Sequence, residues 1–380
     1  MKIMNVVGAR PNFVKIAPLI REMNKRKGLE TILVHTGQHY DDLMATQFFE
    51  DLNMSLPGVS LEVGTGSHAF QTAEVMKRLE PVLERDQPDV VLVVGDVNST
   101  VAAALTAAKL QIPVAHVEAG LRSFDRTMPE EINRIVTDAV AHYLFVTEES
   151  GVVNLKHEGV PEERIFFTGN VMIDALQETR HAWERSSIKE RLGLTKGEYG
   201  VLTLHRPSNV DDPARLKGWI EAIERVAREI PIVFPVHPRT QRHLVGYPIA
   251  SLEGARSNDE RTPPHGVHYF QPFGYLDFMG LVSGARIVLT DSGGLQEETT
   301  VLGIPCLTLR DNTERPVTVT HGTNRLVGGS PETLVSSAME VLRGPTRVPA
   351  PPPMWDGKAS QRIVDVLFKR AGRKSLRDRR

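Results

Sequence analysis

The sequence predicts two doubly wound α/β domains with a cleft between them. Three observations carry this reading: short Val, Ile and Leu runs alternate with longer helical patterns, the runs end in polar or glycine-bearing loops, and the chain has 380 residues. A single core rarely grows past about 250–300 residues, so two units of about half the chain each follow. With 41% hydrophobic and 24% charged residues, 30 Gly and 25 Pro, the composition excludes disorder and collagen. A formal net charge of -2 argues against a nucleic-acid partner. Cys306, the single cysteine, forms no internal disulfide or multi-cysteine zinc site, which fits a reducing cytoplasm. The run from Met1 to Gly8 is too short for a signal segment, and no apolar stretch approaches the roughly 20 residues that span a bilayer, so no membrane role is expected.

In the first half, strands are expected near residues 2–7, 31–35, 90–95, 113–117 and 143–146; in the second, near 200–204, 232–236, 287–290 and 305–309. Thr168-Gly169-Asn170 before a helical stretch, Val171–Arg185, reads as the crossover between domains. The expected divisions are therefore 1–170, 171–358 and a closing segment, 359–380, packing back on the first domain. Five prolines between Pro345 and Pro353 make that stretch an extended connector. Beyond it, Ala359–Arg370 reads as an amphipathic helix, and the basic end from Arg373 to Arg380 as a solvated tail.

Open parallel sheets bind ligands beyond the carboxyl ends of their strands, so the residues just after each strand carry the functional signal. After the first comes Gly8-Ala9-Arg10-Pro11-Asn12-Phe13-Val14-Lys15, where a helix start and two cations, Arg10 and Lys15, suit a phosphate. The third and fourth strands end at Asp96 and Glu118. If these strands are neighbours, the two carboxylates emerge side by side and oppose each other's ionisation, as acid/base pairs do. Asp96 also fits as a cap for the helix beginning near Ser99. Glu130 fits a capping box with Thr127 and Pro129, and equally a catalytic acid or base.

In the second half, His205 and His237 follow strands and suit proton transfer or phosphate contact better than a metal, since neither lies near a second ligand at metal spacing. The strongest signal is Ile287-Val288-Leu289-Thr290-Asp291-Ser292-Gly293-Gly294-Leu295-Gln296-Glu297-Glu298. Strand, glycine turn and helix start let backbone N–H groups and Ser292 hold a phosphate, with Glu298 one turn on for a ribose hydroxyl. Arg310 and Arg315 follow a later strand, and Phe273, Tyr275 and Phe278 offer an aromatic surface for a base. Gly64-Thr65-Gly66-Ser67-His68-Ala69, with Glu84, matches a dinucleotide fingerprint, but it lies too late in the half to be the first strand-to-helix turn.

Together with Thr36-Gly37-Gln38-His39, His116-Val117-Glu118-Ala119-Gly120-Leu121-Arg122, Pro129-Glu130-Glu131, Asn133-Arg134 and Arg310-Asp311, these segments resemble the non-hydrolysing UDP-N-acetylglucosamine 2-epimerases over nearly the whole chain. The resemblance implies two Rossmann-like domains in a glycosyltransferase-B-like arrangement, with the active site in the interdomain cleft. It implies inversion at C2 of a UDP-2-acetamido sugar with no cofactor or metal, through UDP elimination to 2-acetamidoglucal and re-addition. It gives Asp96, Glu118 and Glu130 the acid/base positions and puts His205 beside the diphosphate. Arg10, Lys15, Ser292, Gly293, Gly294, Glu298 and Arg315 match nucleotide positions, and Phe278 a base contact. A homodimer is also implied. His205-Arg206-Pro207-Ser208-Asn209 departs from the His-Arg-Arg-Glu of familiar members toward a wider group that includes epimerases of UDP-2,3-diacetamido-glucuronate. Tyr40-Asp41-Asp42-Leu43-Met44 lacks the run associated with an allosteric substrate site. A UDP-sugar transferase and a non-catalytic UDP-sugar sensor are the alternatives.

Overall fold

The computed structural model describes residues 1–37, 51–52, 54–244, 246–250, 265–345 and 350–377, apart from the side chains of Arg10 and of residues 371–377. The chain divides into two compact units: Met1–Glu178 with Pro353–Arg380, and Thr179–Pro352.

The first unit holds β1 (Lys2–Val7), β2 (Glu30–His35), β3 (Val59–Ser60), β4 (Val90–Val94), β5 (Val114–Ala119), β6 (Tyr143–Val146) and β7 (Ile165–Phe167) in the order β3-β2-β1-β4-β5-β6-β7. The second holds β8 (Gly200–Thr203), β9 (Ile232–Pro235), β10 (Val267–Phe270), β11 (Ile287–Thr290), β12 (Cys306–Thr308) and β13 (Asn324–Leu326) in the order β10-β9-β8-β11-β12-β13. All the pairings are parallel. Strand order reverses between β1 and β4 in one sheet and between β8 and β11 in the other. These are the switch points at which an open α/β sheet leaves a crevice for a ligand.

Central strands are buried on both faces and therefore read as continuous apolar runs: every residue of β4, VVLVV, and of β11, IVLT, is buried. Helices cover them with apolar faces of period 3.6. In Pro213–Val226, Leu216, Trp219, Ile220, Ile223 and Val226 are buried, and the Asp212 carboxylate accepts from the backbone N–H groups of Ala214 and Arg215 at its start.

The nine expected strands are present to within two residues at each end. Four others, β3, β7, β10 and β13, form the edges of the two sheets and are two to four residues long. The expected helix Val171–Arg185 is two helices, Val171–Glu178 and Arg180–Glu184, and the unit boundary falls between them rather than at residue 170. The connector expected at residues 345–353 partly lies outside the described residues, as do Gln38 to Met44.

The chain returns to the first unit at Pro353. Trp355 donates to the Thr147 carbonyl at 2.9 Å, and Arg26 pairs with Asp365 at 2.6 Å. The helix Ala359–Arg377 is capped from a distance: the buried Asp174 carboxylate accepts from Ala359 N at 3.1 Å and Ser360 N at 2.6 Å. No helix among the described residues is long and apolar enough to cross a membrane.

Replacing Asp174 with Ala removes both acceptors from that helix start. We expect a loss of about 1–2 kcal/mol in urea unfolding, with amide exchange accelerating first within residues 359–370.

Candidate active site

In the first unit the carboxylates stand where β4 and β5 end side by side. Val94 pairs with Val117, and Gly95 N donates to the Val117 carbonyl at 3.0 Å. β5 then bulges at Glu118, whose φ of 73° is left-handed although it is not glycine. Gly120 follows at φ 80°, where a Cβ would run into the Gly151 backbone, so only glycine fits. The bulge turns a side chain that alternation would send into a sheet face toward the strand ends.

Asp96 and Glu118 are neighbours, but each has its own cation. Glu118 is 2% exposed and bonds Lys15 Nζ at 2.6 Å; Asp96 bonds Arg134 Nη1 at 2.5 Å. This corrects one expectation: the carboxylates do not face each other uncompensated, and the Lys15 ammonium is engaged by Glu118. The capping readings also fail. The helix Asn98–Lys109 is preceded by Val97 with no side-chain cap, and the helix Pro129–Val140 by Met128, while Thr127 turns its hydroxyl to Asp125. Glu130 is half-buried in the first turn of that helix, and no ion pair involves it among the described residues.

Beneath these groups lies a buried polar layer that sequence reasoning missed. His116 Nδ1 meets Asp138 Oδ1 at 2.6 Å, and Nε2 meets the Gly95 carbonyl at 2.9 Å. Both ring nitrogens are thus engaged, one by a carboxylate and one by a backbone carbonyl. Asp138 also accepts from Gly120 N at 3.0 Å and pairs with Arg122 at 2.8 Å. Burial works against its charge, but His116, Arg122 and the Gly120 amide outweigh it and keep the carboxyl below its ordinary value. A signal was present: Glu131, Arg134 and Asp138 recur at helical spacing on one face of Pro129–Val140 and are all about 1% exposed.

In the second unit, Asp291 follows β11 and is fully buried. It accepts from the backbone N–H groups of His205 and Arg206, from Asn209 Nδ2 at 3.1 Å, and pairs with His205 Nδ1 at 2.7 Å. Burial pushes its pKa up, but His205 and the two backbone donors outweigh that and hold it at about 2. His205 is thus fixed by Nδ1, with its ring 5.4 Å from that of His237, whose own Nδ1 caps a short helix. Ser292 precedes the helix Gly293–Leu302 and leaves its first N–H groups without a side-chain cap. Arg315 lies against Gly293, where a Cβ would collide with the guanidinium. It is buried and tied to Glu297 at 2.6 Å and to Glu314, which also pairs with Arg310 at 2.7 Å. Arg315 is therefore part of an ion network before any phosphate arrives. Glu298 is buried and accepts from the Tyr275 hydroxyl at 3.4 Å; Phe278 is half-buried on the helix Tyr275–Val282. Arg10 begins the helix Arg10–Asn24, but its side chain lies outside the described residues. The fingerprint-like Gly64–Ala69 follows edge strand β3, and Ser67 there caps the helix His68–Asp86. Among the described residues no group of three or more His, Cys, Asp or Glu could hold a metal ion.

Asp291, with its pKa lowered from 3.8 to about 2, contributes about 2 kcal/mol that is present above pH 3.8 and lost as pH falls through about 2. We expect the stability gap between the wild type and Asp291→Asn in urea unfolding to narrow by this amount between about pH 5 and about pH 2.

Comparison with known proteins agrees with this geometry. The family model described as UDP-N-acetylglucosamine 2-epimerase matches residues 21–368. A UDP-N-acetylglucosamine 2-epimerase of Methanocaldococcus jannaschii is 42% identical, over 97% of this chain and 99% of its own. A UDP-2,3-diacetamido-2,3-dideoxy-D-glucuronate 2-epimerase of Pseudomonas aeruginosa is 40% identical, over 97% and 100%. The crystal structure of the M. jannaschii UDP-GlcNAc 2-epimerase in complex with UDP-GlcNAc and UDP superposes with a TM-score of 0.86 at 41% identity, over 97% of this chain and all of that one. Carboxylates where β4 and β5 end, an anion-ready helix start beyond β11, and full-length similarity lead to one conclusion: the chain belongs to the UDP-N-acetylglucosamine 2-epimerase family.

Proposed function

We propose that this protein interconverts UDP-N-acetylglucosamine and UDP-N-acetylmannosamine. The observation that carries the reading is the set of three carboxylates, Asp96, Glu118 and Glu130, at the ends of β4 and β5 and the start of the adjoining helix. In the proposed reaction one carboxylate removes the C2 proton, the C1–O bond breaks, and UDP leaves with the electron pair, giving 2-acetamidoglucal. UDP then returns to C1 while a proton is delivered to C2 from the opposite face.

Its physical support lies in the charges. Departure of UDP develops negative charge, which the helix start at Ser292, Gly293 and Gly294, the Arg315 guanidinium and the Nε2 edge of His205 are suited to receive. Arg10 joins them in this reading, Glu298 takes the ribose and Phe278 the base. Lys15 serves Glu118 as its buried partner. Glu130, half-buried and without an ion pair among the described residues, is the group suited to exchange a proton.

A second substrate has specific support: the diacetamido-glucuronate epimerase is nearly as similar as the N-acetylglucosamine enzyme, at 40% against 42% identity. Proton NMR in deuterated water decides between them. With UDP-N-acetylglucosamine we expect the manno epimer to appear carrying deuterium at C2. No change with this substrate, together with exchange of the diacetamido-uronate nucleotide, shifts the assignment to the second. Consumption only with an added acceptor points to a transferase.

Two variants separate the half-sites. Glu130→Gln is expected to lower turnover by about 10²-fold or more while calorimetry finds UDP affinity within about threefold. Gly293→Ala, whose Cβ displaces the Arg315 guanidinium, is expected to weaken UDP binding about tenfold, or about 1.4 kcal/mol.

A further inference from the structure

We infer that Arg134 is a positioning residue that keeps Asp96 ionised and aimed, and that Glu131 is the anchor of this device rather than a fourth acid/base group. The inference rests on the epimerase reading for Asp96 but concerns residues that reading leaves without a role.

The Glu131 carboxylate is heavily bonded, four of its five bonds falling on Oε2. It accepts from Ser123 N at 3.0 Å, Ser123 Oγ at 3.1 Å and Phe124 N at 2.9 Å, and from Arg134 Nε at 3.0 Å and Nη2 at 2.5 Å. Burial works against its charge, but these donors hold its carboxyl below the ordinary value. With Nε and Nη2 fixed on one carboxylate, and Nη2 also 3.3 Å from Ser123 Oγ, the planar guanidinium has a set orientation. That orientation directs Nη1 to Asp96 Oδ2 at 2.5 Å. The preceding residue holds the same loop by its backbone: Asn133 Nδ2 donates to the Asp96 carbonyl at 2.9 Å. One turn of helix thus grips Asp96 by main chain and side chain together. Arg134 is 1% exposed, whereas the Asp96 side chain is 27% exposed, so the cation is hidden and the carboxylate remains reachable.

The adjacent acids Glu130 and Glu131 consequently differ in function. Glu131 is spent on Arg134, and Glu130, one position earlier, is left for exchange. A lysine at 134 keeps the charge but cannot bond both carboxylates in one plane.

Among the described residues, the other charged groups at these strand ends are Lys15 on the helix Arg10–Asn24, His116 and Glu118 on β5, Arg122 just after it and paired with Asp138, and Glu130, Glu131 and Asp138 on the same helix as Arg134. Lys15 and His116 are paired with Glu118 and Asp138, so neither substitutes for Arg134.

The experiment compares the wild type with Arg134→Gln and Arg134→Lys, each shown to be folded by thermal unfolding. Turnover of UDP-N-acetylglucosamine is measured against pH, and the Asp96 carboxyl is titrated by carbon NMR, its signal assigned by loss in Asp96→Asn. For Arg134→Gln we expect kcat to fall on the order of 10²-fold with KM within about threefold, and the Asp96 titration and the acid limb of kcat to move up by about one pH unit or more. Removing a cation makes the carboxylate harder to ionise, so activity is lost at a higher pH than in the wild type. For Arg134→Lys we expect the limb near its wild-type position and kcat reduced about tenfold. An Asp96 titration unchanged in Arg134→Gln, or wild-type kcat in Arg134→Lys, overturns the inference. Absence of wild-type turnover on every UDP-amino sugar overturns the epimerase reading instead, and the carboxyl titration still decides the role of Arg134.

Discussion

The arrangement in the first unit depends on one buried hydrogen-bonded pair, His116 with Asp138. A parallel sheet delivers strand ends to a common edge but does not fix the loops that leave them. Here the imidazole bonds the Gly95 carbonyl and the carboxylate bonds the Gly120 amide, so the turns carrying Asp96 and Glu118 are tied to one another from below. Such a pair is costly to bury unless every donor and acceptor is used, and this one is used fully, with Arg122 as a further partner. The left-handed backbone at Glu118 persists because its surroundings over-determine it.

The second unit solves a similar problem with different chemistry. Glu297 and Glu314 are buried carboxylates that a nucleotide phosphate would repel if they stood alone. Arg315 and Arg310 neutralise them, and burial is outweighed so strongly that the Glu314 carboxyl lies well below the usual range. The same network stiffens the Arg315 side chain against the start of the helix Gly293–Leu302, so its guanidinium is ordered before a ligand binds. Asp291 does the corresponding work for His205, setting which ring nitrogen faces outward.

How much of this was legible in the sequence follows from what each part buries. Central strands such as β4 and β11 pack both faces and spell out their apolar runs, so they and their polar termini were readable. Edge strands β3, β7, β10 and β13 cover less and are held by pairing to a neighbour, a non-local fact that no short window records. Asp96, Glu118 and Glu130 were found because they follow strands or open a helix. Their counter-ions were missed: the pairing of Lys15 with Glu118, 103 residues away, leaves no mark in spacing. Glu130 and Glu131 are identical in type, and the Ser123–Phe124 turn together with Arg134 distinguishes the anchored one from the open one. The capping box and the Asp96 cap both failed, because Asp125 takes the Thr127 hydroxyl and Arg134 takes the Asp96 carboxylate.

The return of the chain at Pro353 also orders its assembly. Residues 179–352 form one continuous stretch that can close its own core as soon as it has been synthesised. The first unit lacks the helix Ala359–Arg377 until that segment itself has left the ribosome. Until then the Asp174 carboxylate and the face of the helix Arg10–Asn24 that receives the late helix stay uncovered. The domain begun first is therefore the last to be completed, and its early half waits for the closing helix while the other unit is made.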